Sequence, residues 1–91
     1  MQVIWAPSAL RDLDAIADYI SRDNPKAAEH VVYTIEHGCN ALDILPLRGQ
    51  PSRMDGHRDL IFAPLPYVAV YRVTETTVII LRIYHSAQHW P

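Results

Sequence analysis

The hydrophobic period changes once along this chain, and that change fixes what the chain can fold into. From Pro7 to Leu45 apolar residues return at steps of three and four, whereas from Tyr67 to Tyr84 they run in two near-continuous blocks. A period near 3.6 belongs to a helix with one buried stripe; short continuous runs rich in Val, Ile and Tyr suit strands covered on most of both faces. Neither half hides its apolar surface alone, so the helices are expected to cover the sheet.

Gln2-Val3-Ile4-Trp5 is short and β-rich and predicts a first strand ending near Trp5. Pro7 follows, in the first turn of a helix, where a missing N–H costs nothing. Ala9, Leu13, Ile16, Ala17 and Ile20 form its stripe with Leu10 beside them, and Arg11, Asp12, Asp14 and Asp18 take the outer face. The three aspartates are expected in the first turns, at the positive end of the helix dipole. Asp23-Asn24-Pro25 breaks the run, Asn24 as N-cap and Pro25 as first residue of a second helix. Ala28, Val32, Ile35, Cys39, Leu42 and Leu45 would be its stripe, over about twenty residues and roughly 30 Å, to Pro46.

Pro46 to Pro51 reads as a loop carrying Arg48, and the pattern turns extended from Arg53 through Phe62. Asp55-Gly56 inside it suggests a bulge or tight turn. Ala63-Pro64-Leu65-Pro66 is a connection, after which strands over 67–73 and 78–84 are joined through Thr74-Glu75-Thr76-Thr77. The order β-α-α-β-β-β predicts an α+β fold, a helical hairpin packed on a curled antiparallel sheet, in a single domain over 1–91.

Composition excludes several classes. Half of the residues are apolar, too many for a disordered chain, yet no run is long enough to span a membrane. The first residues carry no signal-peptide pattern, so a cytoplasmic protein is expected. The single cysteine, Cys39, makes neither an intrachain disulfide nor a cysteine zinc cage, and it lies on an apolar stripe. Net charge is −2, divided unevenly: residues 1–45 carry three basic and seven acidic groups, residues 46–91 five arginines and three acids. With one lysine, Lys26, the whole chain does not suit general nucleic-acid binding, although the second half can present a local arginine face.

Three groups of residues carry candidate chemistry. Arg72 and Arg82 each interrupt an apolar strand, where an arginine is costly unless paired or facing a groove. They read either as an anion clamp or as salt bridges with snorkelling stems. Tyr84 and His85 stand where the last strand ends, placed for proton transfer or for a structural hydrogen bond. His85 and His89 are four apart but lack a third ligand, so no metal and no cofactor is expected. The segment Arg53 to Asp59, with His57 and Arg58, offers phosphate-stabilising groups or merely a charged edge strand. A phosphate loop, nucleophile elbow and HExxH are absent from the sequence.

The ordered pieces resemble a known superfamily. Trp5-Ala6-Pro7-x-Ala9-x-x-Asp12-Leu13-x-x-Ile16-x-x-Tyr19-Ile20 and Asn24-Pro25-x-Ala27-Ala28 resemble the opening of ParE-like toxins. Arg48-Gly49-x-Pro51, Gly56-x-Arg58-x-Leu60, Pro66-Tyr67-x-x-x-Tyr71-Arg72-Val73 and Ile83-x-His85-x-x-Gln88-x-Trp90-Pro91 continue the likeness to the RelE/ParE superfamily of bacterial type II toxin–antitoxin modules. The resemblance implies a growth-arresting toxin of the kind linked with plasmid stabilization. Its ParE-like branch inhibits DNA gyrase and needs no catalytic residue; its RelE-like branch cuts mRNA on the ribosome with clustered basic residues and a C-terminal Tyr or His. The shortage of lysine and the negative charge favour the ParE-like branch. A reduced nuclease site would draw on Arg58, Arg72, Arg82, Tyr84 and His85, and an inactive member that only binds its antitoxin is the third reading. The resemblance also implies a cognate antitoxin whose disordered C-terminal segment wraps the toxin in a higher-order complex. Arg48, Arg53, Arg58, Arg72 and Arg82 are the candidate partners for its acidic residues.

Overall fold

The computed structural model describes residues 1–88. Strand β1 (Gln2–Trp5) leads into helix α1 (Pro7–Ser21), then α2 (Pro25–Asn40) and a 3-10 turn at Ala41–Asp43. Strands β2 (Gln50–Pro51), β3 (Arg58–Ile61), β4 (Tyr67–Val73) and β5 (Thr77–His85) complete the chain, and the sheet order is β1-β5-β4-β3-β2. The helical hairpin covers one face of the sheet, as its stripes require. His89, Trp90 and Pro91 lie outside the described residues, and with them the His85–His89 pair.

The sheet is mixed where a curled antiparallel one was expected. β1 lies parallel to β5, Gln2 opposite Thr77 and Trp5 opposite Ile80, while the other pairs are antiparallel. The reason is topological: the helical hairpin carries the chain from β1 at one edge of the sheet to β2 at the other, and the three antiparallel pairings that follow bring β5 back beside β1 running in the same direction. A register shift between Val70 and Tyr71 places Arg82 opposite Val70 and Ile80 opposite Tyr71, so Leu81 is the extra residue of a β-bulge.

Both helices begin as the sequence predicts, with proline at the first helical positions. Asn24 Oδ1 accepts from the Ala27 amide at 3.1 Å. Three expectations are corrected. The first turn of α1 holds no acid; Asp12 begins the next turn, half-buried rather than on the outer face, because it caps the sheet edge described below. The long second helix stops at Asn40, and Leu45 is exposed, because the chain turns away to meet Tyr71. Residues 52–57 form a turn instead of a strand; Gly56, with φ +79°, supplies the left-handed residue that this turn needs.

Ala9, Leu13, Val31, Ile35, Cys39 and Leu42 from the helices meet Leu60, Tyr67, Ala69, Tyr71, Val78, Ile80 and Ile83 from the sheet in one core. β4 is buried from Tyr67 through Tyr71, on both faces, as expected for a central strand; β5 alternates. Among the described residues no helix is long and apolar enough to cross a membrane.

Cys39 is fully buried in that core, and burial, reinforced by the Glu36 charge, pushes its thiol from 9.0 up to about 12. The unfolded chain therefore releases this proton first. Stability is intact below about pH 9 and falls as pH rises toward about 12, by at most about 1.4 kcal/mol per pH unit. Urea titrations between pH 8 and 10 should show this slope, and Cys39→Ala should flatten it.

Candidate functional site

The arginine-bearing half of the molecule is organised by two polar clusters and one cleft. In the first cluster the loop after α2 is fastened to the sheet from below. The Tyr71 phenol, fully buried, donates to the Pro46 carbonyl at 2.8 Å and accepts from the Gly49 amide at 2.8 Å. Arg58 Nε donates to the Gly49 carbonyl at 3.0 Å and Nη2 to the Leu47 carbonyl at 3.3 Å. A β-carbon on Gly49 would stand 2.6 Å from the Asp59 carbonyl oxygen and 2.7 Å from the Tyr71 hydroxyl, so only glycine fits this crossing. The loop held this way buries none of its aliphatic side chains: Ile44, Leu45 and Leu47 are 79%, 59% and 64% exposed.

The second cluster closes the outer edge of β5. Beyond Ile80, β1 has ended, and α1 takes over the edge. The Ala6 amide donates to the Ile80 carbonyl at 2.8 Å, Ser8 Oγ to the Leu81 carbonyl at 2.7 Å, and the Ile83 amide to Asp12 Oδ2 at 2.9 Å. Arg82 completes the cap, its Nε 2.7 Å from Asp12 Oδ2 and its Nη2 3.1 Å from Oδ1. This hydrogen bonding, outweighing the opposing effect of burial, raises the guanidinium still further above its ordinary range.

A cleft of about 420 Å³ opens between α1 and the ends of β4 and β5, with Tyr19, Tyr67, Tyr84 and His85 among its walls. Tyr67 and His85 meet edge to face, ring centres 5.5 Å apart. Burial, together with Tyr19, lifts the Tyr67 phenol above its usual range. Burial and then the Asp59 charge do the same to Tyr84, against the opposing charge of Arg53. His85 Nδ1 accepts from the Ala87 amide at 3.0 Å, and the Gln88 side chain accepts from the His85 amide at 2.9 Å. With Nδ1 occupied as an acceptor, the neutral ring carries its proton on Nε2, which leaves it a donor.

The predicted site residues therefore separate. Tyr84 and His85 share the cleft. Arg82 is bound to Asp12 and Arg58 to the loop carbonyls. Arg72, exposed, pairs with Ile79 across the ladder; Arg82 pairs with Val70, two residues from Arg72, so alternation puts both on one face of the sheet although Arg82 is spoken for. Arg53 is exposed on the turn, and His57 Nδ1 donates to the Asp55 carbonyl at 2.9 Å. Arg48 is exposed, and its guanidinium has no partner among the described residues. No group of three or more His, Cys, Asp or Glu there is placed to hold a metal. Sequence reasoning missed Tyr71, Asp12 and Tyr67. All three stand in the quoted motifs, but nothing in the sequence names their partners: the carbonyl and amide that Tyr71 bridges and the strand edge that Asp12 caps come from distant segments.

The comparisons agree with this architecture. The family described as "ParE toxin of type II toxin-antitoxin system, parDE" matches residues 3–90. The protein Y4kP of Sinorhizobium fredii is 40% identical over 90 residues, covering 99% of this chain and 93% of its own. The chromosomal ParDE toxin–antitoxin system from P. aeruginosa contains a chain of similar structure, with a TM-score of 0.84 at 33% identity over 93% of this chain and 95% of that one. A chain of the RelBE2 toxin–antitoxin complex from Mycobacterium tuberculosis superposes with a TM-score of 0.61 at 29% identity, over 96% and 92%. With nearly its whole length matched, this chain belongs to the ParE toxin family of type II toxin–antitoxin systems.

Proposed function

We propose that this toxin acts in the ParE-like way, by binding DNA gyrase and blocking replication, and that a cognate antitoxin wrapped around it neutralises it in the cytoplasm. The observation that carries this reading is the commitment of three of the five nuclease candidates to the fold, while Arg72 is exposed and Tyr84 lines the cleft. Arg82 is held by Asp12, Arg58 by two loop carbonyls, and His85 offers a donor where a general base needs an acceptor. A ribosome-directed nuclease also needs a basic surface, and this chain is net negative with a single lysine. The RelE-like reading draws its support from one feature, the gathering of Tyr67, Tyr84 and His85 in the same cleft.

Induction of the toxin alone, with pulse labelling of DNA and protein synthesis, separates the two. Thymidine incorporation is expected to stop first, with a DNA-damage response, and His85→Ala is expected to remain toxic. Arrest of protein synthesis within minutes, with cleaved mRNA and a harmless His85→Ala, would overturn the proposal.

A further inference from the structure

β5 ends in a turn built without glycine or proline. His85 pairs with Tyr67, the Ser86 amide donates to the Pro66 carbonyl at 2.8 Å, and the chain then turns over Ser86, Ala87 and Gln88. Three hydrogen bonds close the turn, and each has His85 at one end. Its carbonyl accepts from the Gln88 amide at 2.9 Å, and its amide donates to the Gln88 side-chain oxygen at 2.9 Å. Its ring Nδ1 accepts from the Ala87 amide at 3.0 Å. This last bond is the one an Asx turn makes, in which a side chain accepts from the amide two residues on. An asparagine or aspartate would hold that amide throughout the neutral range. Histidine is the side chain whose acceptor disappears between about pH 8 and pH 5.

The loss cannot be repaired within the ring. A neutral imidazole has one donor and one acceptor, whereas an imidazolium has two donors, so no rotation returns a lone pair to the Ala87 amide. Protonation sets N–H against N–H instead. Around the ring, Tyr67 of β4 meets it edge to face, and Tyr19 and Asp12 of α1 and Tyr84 of β5 line the same cleft. Asp12 is the one carboxylate among these lining residues, and it is already bonded to Arg82 and the Ile83 amide. The Asp59 and Arg53 charges act on Tyr84, next along β5. Burial holds the Tyr67 and Tyr84 phenols above their usual range, so both stay uncharged while an imidazole titrates. His85 and Gln88 both line the cleft of about 420 Å³, so the turn is one of its walls.

We propose that His85 is a proton-operated latch: its neutral ring folds residues 85–88 into the wall of the cleft between α1 and the ends of β4 and β5, and its protonation releases them. Every bond involved lies within this chain, so the latch does not depend on the target of the toxin.

The test is NMR of the full chain from pH 8 to pH 5, reading the His85 ring nitrogens and the backbone amides together. At pH 8 the ring is expected to carry its proton on Nε2. On acidification the Ala87 and Gln88 amide signals are expected to move with the same midpoint as the ring. Their protection, corrected for intrinsic exchange, should fall by about tenfold or more. The Ile83 and Phe62 amides, held by Asp12 and the Tyr67 carbonyl, should keep theirs. His85→Asn, whose Oδ1 accepts at every pH in this range, is expected to keep the turn closed and abolish the response; His85→Ala should leave the turn open throughout.

A proton on Nδ1 at pH 8 overturns the proposal, and so does Ala87 protection that survives protonation of the ring. Equal losses at Ile83 and Phe62 would mean that acid unfolds the whole domain. An unchanged response in His85→Asn would place the titrating group elsewhere, and either of these results overturns the latch as well.

Discussion

Asp12→Ala is expected to lower the unfolding free energy by about 2–3 kcal/mol. The carboxylate accepts three hydrogen bonds, two from Arg82 and one from the Ile83 amide. Arg82 is 43% exposed, so the ion pair itself is screened and contributes about 1 kcal/mol or less. The rest comes from the Ile83 amide, which sits on the β5 edge with α1 over it and would lose its acceptor. Arg82→Ala should cost less, about 1 kcal/mol, because Asp12 still caps Ile83. In a thermal melt the Asp12 variant should fall by about 10–20 °C, given about 4–8 °C per kcal/mol for a domain of this size. Raising salt from 50 mM to 500 mM should narrow the gap only slightly, since the amide's share is not screened. Equal losses in both variants would assign the effect to the ion pair alone.

Tyr71→Phe is expected to destabilise the fold by about 2–4 kcal/mol although it removes one oxygen. The phenol bridges Pro46 and Gly49 from a fully buried position, and its loss leaves a donor and an acceptor unpaired. The damage should be uneven. The Gly49 amide should exchange far faster than amides of the α1–β5 contact, because the network fastens only the loop. Gly49→Ala should reproduce the phenotype by a different route, its β-carbon colliding with the Asp59 carbonyl and the same hydroxyl. Urea titration with residue-resolved exchange on both variants checks this; uniform loss of protection would show that the phenol supports the core at large.

The elements legible in the sequence were those set by local chemistry. Pro7, Asn24 and Pro25 mark the helix starts because capping and proline geometry act within a few residues. The two strong strands are visible because their apolar runs answer to burial on both faces. What was not legible depends on partners distant in sequence. No pattern in Gln2 to Trp5 says whether the strand runs parallel or antiparallel, and the bulge at Leu81 lies where Ser8 and Asp12, some seventy residues away, bond the strand edge. The arginines illustrate the limit most clearly. Arg58 and Arg82 carry the same charge as Arg48, and only the fold shows that two are consumed by loop carbonyls and a carboxylate while the third is not.

The parallel pairing of β1 with β5 bears on how the protein is born. Residues 2–5 find their partners at 77–80, and Asp12 finds its own at 82 and 83, so the first elements synthesised are completed by the last strand. A nascent chain that has emerged only through β4 holds a helical hairpin whose stripe lacks the Val78, Ile80 and Ile83 surface it is shaped to cover. Such long-range closure is slow, since loop entropy must be overcome before the contacts form. Assembly is therefore all or nothing at the level of translation: an interrupted chain is not a weaker toxin but an unfinished one, with its apolar stripe open to proteases and chaperones.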